Sequence, residues 1–186
     1  RERIKDFDKA VEGKFSLLRP GYIQILNEWN NQDIYPDANF TPRLTYGEIR
    51  GYSPKDAVLY DYITSLEGIV EKYTGEPPFD APDKIMDMAI EKHLPEKYMD
   101  NYLNNIPVNF VHTTDITGGN SGSPVMDAGG RFIGIAFDGN WESISADWVF
   151  NPLLTRSISV DARYILFVLE YIAQSDYVFK ELTIVQ

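Results

Sequence analysis

The chain has 186 residues, 17 Lys and Arg against 28 Asp and Glu for a formal charge of −11, 44% hydrophobic and 13% aromatic residues, and no cysteine. That length suits one domain or slightly more and can bury a core, which excludes disorder, and no apolar run approaches the ~20 residues of a membrane helix. An acidic surface without a basic cluster argues against nucleic-acid and membrane partners, and the missing cysteines exclude disulfides and thiolate chemistry.

In chain order, residues 1 to about 32 read as helical. Tyr22, Ile25, Leu26 and Trp29 fall at i, i+3, i+4 and i+7 and make one apolar stripe, with Pro20-Gly21 marking a break before it. The start on Arg1, in a polar stretch without a signal-peptide core, reads as a segment cut from a longer chain. A boundary is expected near residue 36, because short β-like runs punctuated by Gly and Pro begin there, including Arg43 to Gly47 and Val58 to Thr64. Lys84 to Lys92 reads as a helix with Ile85, Met86, Ala89 and Ile90 on one side. Pro107 to Thr113, Ser123 to Met126 and Arg131 to Phe137 read as strands, the last two joined by the hairpin Asp127-Ala128-Gly129-Gly130. Asp161 to Ala173 reads as a helix with Ile165, Val168, Leu169 and Ile172 at helical spacing, and Leu182 to Val185 as a final strand.

The segment that carries chemistry is Asp115-Ile116-Thr117-Gly118-Gly119-Asn120-Ser121-Gly122-Ser123-Pro124. Glycines at 119 and 122 let the backbone turn tightly enough to aim the N–H groups of Gly119 and Ser121 at one point beside the Ser121 hydroxyl. Attack on a carbonyl needs that arrangement, with Ser121 as nucleophile and the two N–H groups holding the oxyanion. Gly-x-Ser-Gly-x-Pro arises by chance in roughly a few of every thousand chains of this length, so composition alone also accommodates a plain turn between strands. The nucleophile-elbow pattern Gly-x-Ser-x-Gly fails, because position 123 is Ser and a strand and hairpin follow.

This run, continued through Ile133 to Glu142 and Ile158 to Tyr164, resembles the bacterial dipeptidyl-peptidases 7 and 11. Tyr35 to Thr41, Leu44 to Gly47 and Gly51 to Pro54 resemble the same family, and the likeness covers most of residues 20 to 186. The resemblance implies a mainly β fold with helices: the second β-barrel of a chymotrypsin-like double-barrel serine peptidase, preceded by the end of a helical domain over 1–36 and closed by a C-terminal helix within 37–186. It implies a serine exopeptidase, periplasmic or at the cell surface, that releases dipeptides from oligopeptides without metal or other cofactor. The N-terminal barrel and most of the helical domain would lie elsewhere in a homodimeric parent protein. By position, Ser121 matches the nucleophile, Gly119 the oxyanion-hole glycine and Asp138 the carboxylate that holds the substrate's α-amino group. Gly139 matches the position that is arginine in members preferring acidic second residues and glycine in those preferring hydrophobic ones. From the residues alone, Asp138-Gly139 reads rather as a hairpin pair.

Asp115 lies six residues before Ser121, where trypsin-like enzymes carry a pocket carboxylate; an anchor for the nucleophile loop is the expected role, because the family shares it across different preferences. A serine nucleophile also needs a base, and the two histidines supply none. His112 shares one strand face with Val108 and Phe110, which predicts a packing or surface residue, while His93 is expected at a helix end facing solvent. Their spacing of 19 residues has no metal-binding pattern. Two readings follow: an enzyme fragment lacking the triad His and Asp and inactive by itself, or a non-catalytic binding or structural barrel with a degenerate peptidase loop.

Overall fold

The computed structural model describes residues 2–30, 42–146 and 149–185. Contacts divide the chain into two units, Arg1–Pro42 and Arg43–Gln186. The boundary expected near residue 36 lies outside the described residues.

The first unit carries α1, Glu2–Asn30, a single helix of 29 residues that runs through Pro20. The expected break at Pro20-Gly21 is therefore absent. A proline removes one intrahelical bond at a cost of about 3 kcal/mol, which a helix of this length spreads over many intact turns. Tyr22, Ile25 and Trp29 of the expected stripe are exposed, so periodicity here marks a face without a buried partner among the described residues.

In the second unit Arg43 to Gly47 forms no strand, and the run from Val58 divides between two sheets. Strands β1 (Tyr52–Lys55) and β2 (Val58–Tyr60) make a hairpin, whereas β3 (Ile63–Ser65) joins a larger sheet. The division falls at Asp61, whose Oδ1 accepts the Tyr62 N–H at 2.6 Å. Helices α2 (Leu66–Lys72) and α3 (Asp83–Ile90) follow, then β4 (Pro107–His112), β5 (Pro124–Met126), β6 (Phe132–Gly139) and β7 (Ser157–Asp161). Helices α4 (Ala162–Phe167) and α5 (Asp176–Phe179) close the unit. The unit is mainly β with helices. The five strands of its larger sheet pair antiparallel in the order β3-β4-β7-β6-β5. Among the described residues this sheet is open, with three-residue strands β3 and β5 as its edges, too short a ladder to close on each other.

The core lies under one end of the sheet, where Leu66, Ile85, Tyr98, Ile106, Val108 and Phe167 cluster. Helix α3 contributes Ile85 and Met86 as expected, but Ile90, its last residue, turns outward and is exposed. Asp161 caps α4 by accepting the Arg163 N–H at 2.8 Å, and Arg163 bridges Asp161 and Asp100. The expected helix over Asp161 to Ala173 does form, yet it widens into a π-helical turn at Val168–Ile172. Phe167 stacks on Tyr171 at 5.7 Å across this turn, and Phe167, rather than Ile165 or Leu169, is the fully buried residue. Leu182 to Val185 is not a strand, and Leu182, Ile184 and Val185 are exposed.

Strand β7 inverts the usual pattern, because Ser157, Ser159 and Asp161 are buried while Ile158 and Val160 are only half-buried. A central strand has both faces covered, and its polar face is satisfied: Ser157 Oγ donates to Thr114 O at 2.6 Å and Ser159 Oγ meets His112 Nε2 at 2.7 Å.

Candidate active site

The loop from Asp115 to Ser123 joins β4 to β5 and is shaped by its own backbone. Asn120 N donates to Thr117 O at 3.1 Å, Asn120 Oδ1 accepts the Thr117 N–H at 3.0 Å, and Ser123 N donates to Asn120 O at 2.9 Å. Gly119 and Gly122 have φ of 103° and 90°, a region in which a side chain is strained, so both turns require glycine. The loop is tied to β6 by Gly122 N to Ala136 O at 2.8 Å and Ala136 N to Ser123 O at 2.9 Å. Ser121 stands exposed between the two turns, and its Oγ donates to Phe137 O at 3.2 Å. Neither the Gly119 nor the Ser121 N–H donates to a backbone carbonyl among the described residues.

On β6 the register with β7 passes from Ala136 opposite Ser159 to Asp138 opposite Ile158, leaving Phe137 as an extra residue. Successive residues of a regular strand face opposite ways; the bulge allows Phe137, Asp138 and Gly139 all to line the same cavity as Ser121. This cavity, of about 210 Å³, is completed by Ile116, Thr117, Ser143, Thr155 and Ser157 among others. Asp138 is exposed at its rim, with Oδ1 accepting the Gly139 N–H at 2.8 Å. A side chain at 139 would require the Ser143 hydroxyl to move, since its Cβ would come within 2.2 Å of Ser143 Oγ.

Arg156 also lines the cavity, yet its guanidinium is committed elsewhere. All five of its N–H donors are engaged: Nε with Arg50 O, Nη1 with Pro152 O and Thr155 O, and Nη2 with Gly51 O and Leu153 O. Burial, with Arg50 nearby, pushes its pKa down. Asn140 is buried beside it, accepting Arg156 N–H on Oδ1 at 2.9 Å and donating from Nδ2 to Leu154 O and Glu142 Oε2. Tyr52 Oη donates to the same Glu142 oxygen at 2.9 Å. This bracing fixes the end of β6 that presents Asp138 and Gly139.

The structure thus brings Ser121, Asp138 and Gly139 onto one cavity, with Gly119 in the loop beside them. Asp115 does not line it. His112 is buried, with Nδ1 on Thr114 Oγ1 and Nε2 on Ser159 Oγ, both at 2.7 Å, and burial pushes it down to about 4. It is a packing residue with both ring nitrogens occupied away from Ser121. His93 is exposed after α3 and pairs with Glu91 at 3.2 Å.

The sequence pattern of the peptidase S46 family matches residues 1–184. The chain belongs to this family. Its relatives within S46 include an Asp/Glu-specific dipeptidyl-peptidase of Shewanella putrefaciens, 40% identical over 96% of this chain and 28% of that protein. Another is a dipeptidyl-peptidase 7 of Phocaeicola vulgatus, 44% identical over 91% of the chain and 24% of the relative. Porphyromonas endodontalis DPP11 in complex with the dipeptide Arg-Asp superposes with a TM-score of 0.87 at 35% identity, covering 97% of this chain and 26% of that one. The chain therefore spans about a quarter of the length of these S46 relatives. Identity is similar toward relatives of both names, so overall likeness does not discriminate between acidic and other preferences.

Sequence reasoning missed Arg156, Ser143 and Thr155 at this S46 site. Arg156 follows Asn151-Pro152-Leu153-Leu154-Thr155, a stretch that reads as an exposed loop, and the carbonyls that hold it come from residues more than 100 positions away as well as from its own loop.

Proposed function

We propose that this chain is the nucleophile-bearing part of a serine dipeptidyl-peptidase that releases dipeptides from the N-terminus of oligopeptides, with an uncharged, hydrophobic preference at the second residue. The observation that carries the reading is the convergence of Ser121, Asp138 and Gly139 on one cavity. Ser121 attacks the carbonyl of the second residue, and the Gly119 and Ser121 N–H groups receive the oxyanion. Asp138 at the rim accepts the substrate's α-ammonium group, a charge-assisted contact that measures two residues back from the scissile bond. The Ser121 proton, directed at Phe137 O in this arrangement, passes to a His that an Asp orients, both supplied by another part of the protein.

The preference for an uncharged second residue rests on charge. Arg156 is the single cation among the described residues lining the cavity, and its donors are all engaged by carbonyls, while Asp138 adds negative charge at the rim. A substrate carboxylate would lose water there without gaining a partner. The reading extends to a double-barrel parent of the chymotrypsin type, in which this sheet belongs to the second barrel, and to a periplasmic or cell-surface homodimer.

The test is hydrolysis of fluorogenic dipeptidyl substrates by the full-length protein. Leu or Phe at the second position is expected to exceed Asp or Glu by at least tenfold in kcat/KM. N-acetylation is expected to cost about 30-fold or more, the equivalent of about 2 kcal/mol for an unpaired Asp138. Ser121→Ala is expected to abolish both turnover and fluorophosphonate labelling. A wild type preferring acidic residues overturns the specificity, and equal cleavage of blocked and free peptides removes Asp138 from the site.

A further inference from the structure

We propose that Ser143 is a second specificity-determining residue, coupled to Gly139 and setting with it what the cavity accepts; this deepens the dipeptidyl-peptidase reading and rests on it. Ser143 closes the 3-10 turn Trp141–Ser143 directly after β6 and lines the cavity together with Gly139, Ala146, Thr155 and Ser157. Its Oγ donates to Asn140 O at 2.6 Å, and its N–H donates to the same oxygen at 3.0 Å. The serine hydroxyl therefore spends its proton on the turn and keeps only lone pairs for anything else that approaches. Toward a carboxylate such an oxygen is repulsive, while an apolar side chain can rest against it without losing a strong partner.

The coupling comes from distance. A Cβ at position 139 would lie 2.2 Å from Ser143 Oγ, 3.3 Å from Ser143 Cβ and 3.6 Å from Arg156 O. Gly139 does not have the positive φ of Gly119 or Gly122, so its backbone leaves other residues possible and the neighbouring serine is what excludes them. The turn that carries Ser143 is held at Asn140, whose N–H donates to Arg156 O at 2.9 Å and whose side chain makes bonds to Glu142, Leu154 and Arg156. The backbone is thus pinned, and what can give way is the Ser143 hydroxyl, which forfeits its bond to Asn140 O when it rotates. A long cationic side chain at 139 can enter the cavity without this conflict only when residue 143 lacks its hydroxyl.

The experiment uses the full-length protein in five forms: wild type, Ser143→Ala, Gly139→Arg, the double variant, and Gly139→Arg with Ser143→Gly. The readout is the ratio of kcat/KM for substrates with Glu and with Leu at the second position, with calorimetric binding of the corresponding free dipeptides as a measurement independent of turnover. Ser143→Ala alone is expected to raise the Glu-to-Leu ratio two- to fivefold. Gly139→Arg alone is expected to raise it about tenfold, the double variant with Ser143→Ala to exceed the product of the two single effects by a further tenfold or more, and Gly139→Arg with Ser143→Gly to match or exceed that double variant. Multiplicative single effects, or changes that scale both substrates equally, overturn the role of Ser143 while leaving dipeptide release intact. A wild type that neither cleaves dipeptidyl substrates nor binds dipeptides overturns the peptidase reading itself, and the role of Ser143 with it.

Discussion

The inner face of the sheet has two ends built on different physics. At one end Leu66, Ile106, Val108 and Phe167 pack as an apolar cluster. At the other, next to the nucleophile loop, His112, Ser157 and Ser159 are equally buried but are joined by hydrogen bonds. Apolar burial stabilises without direction, so the first end holds the unit together yet positions nothing finely. The hydrogen bonds act at fixed geometry. Two of them, between His112 Nδ1 and Thr114 Oγ1 and from Ser157 Oγ to Thr114 O, fasten the residue immediately before the loop that carries Ser121. Stability and placement of Ser121 are thereby assigned to different ends of the same strands.

Substitutions at each end sharpen or break this contrast. The largest loss of stability is expected from Phe167→Ala at the apolar end, about 3–5 kcal/mol, because the ring is fully buried and leaves a cavity. Denaturant titration measures the loss, and fluorophosphonate labelling of the protein that remains folded is expected to be unchanged. A labelling defect would show that the two ends are not separable. Arg156→Lys comes next, at about 2–3 kcal/mol, since three donors on a flexible stem replace five in a rigid fork and leave partly buried carbonyls unpaired. Here kcat/KM per folded molecule is expected to fall as well, because Arg156 and Asn140 brace the Asp138–Gly139 end of β6.

His112 makes the polar end sensitive to pH. Burial holds its pKa near about 4 in the fold against 6.5 in an open chain, so between those values the unfolded state binds the extra proton. Its contribution is complete above about 6.5 and declines as pH falls toward 4, by about 3 kcal/mol. Stability measured from pH 7 to pH 4 is expected to show this decline, and His112→Gln is expected to flatten it; an identical slope in the variant would assign the effect to carboxylates. The smallest effect is expected for Ser157→Ala, about 1 kcal/mol, which removes the bond to Thr114 O. A lowered kcat with an unchanged KM would mark it as placing the nucleophile loop, and a wild-type kcat would sever that link.

Much of this architecture was legible in local pattern. The strand from Pro107, the hairpin at Asp127 to Gly130 and the helix following Asp161 announce themselves by periodicity and turn chemistry, which act between neighbours in the chain. The serine loop is legible for the same reason, since Gly119 and Gly122 answer to a backbone requirement of their own residues. Strand β7 was not, because its alternation of Ser157, Ile158, Ser159, Val160 and Asp161 points to the wrong buried face. The polar face goes inward only because His112 from β4, Thr114 just beyond it, and Arg163 from α4 are there to satisfy it. The continuity of α1 through Pro20 and the π-helical turn at Val168–Ile172 were equally hidden, since a whole helix and its packing decide them.

What the sequence by itself determined was the kind of chemistry: a serine between two obligatory glycine turns, an Asp-Gly pair downstream, and no imidazole placed to serve them. Tertiary structure decided which of these residues share a cavity, because the bulge at Phe137 that turns Asp138 and Gly139 toward Ser121 exists only in the register of β6 against β7. It also decided that Arg156 is unavailable to substrate and that Ser143 stands over Gly139. Those facts depend on which carbonyls and which hydroxyl arrive from distant segments, and a spacing rule within one strand or turn carries no information about them.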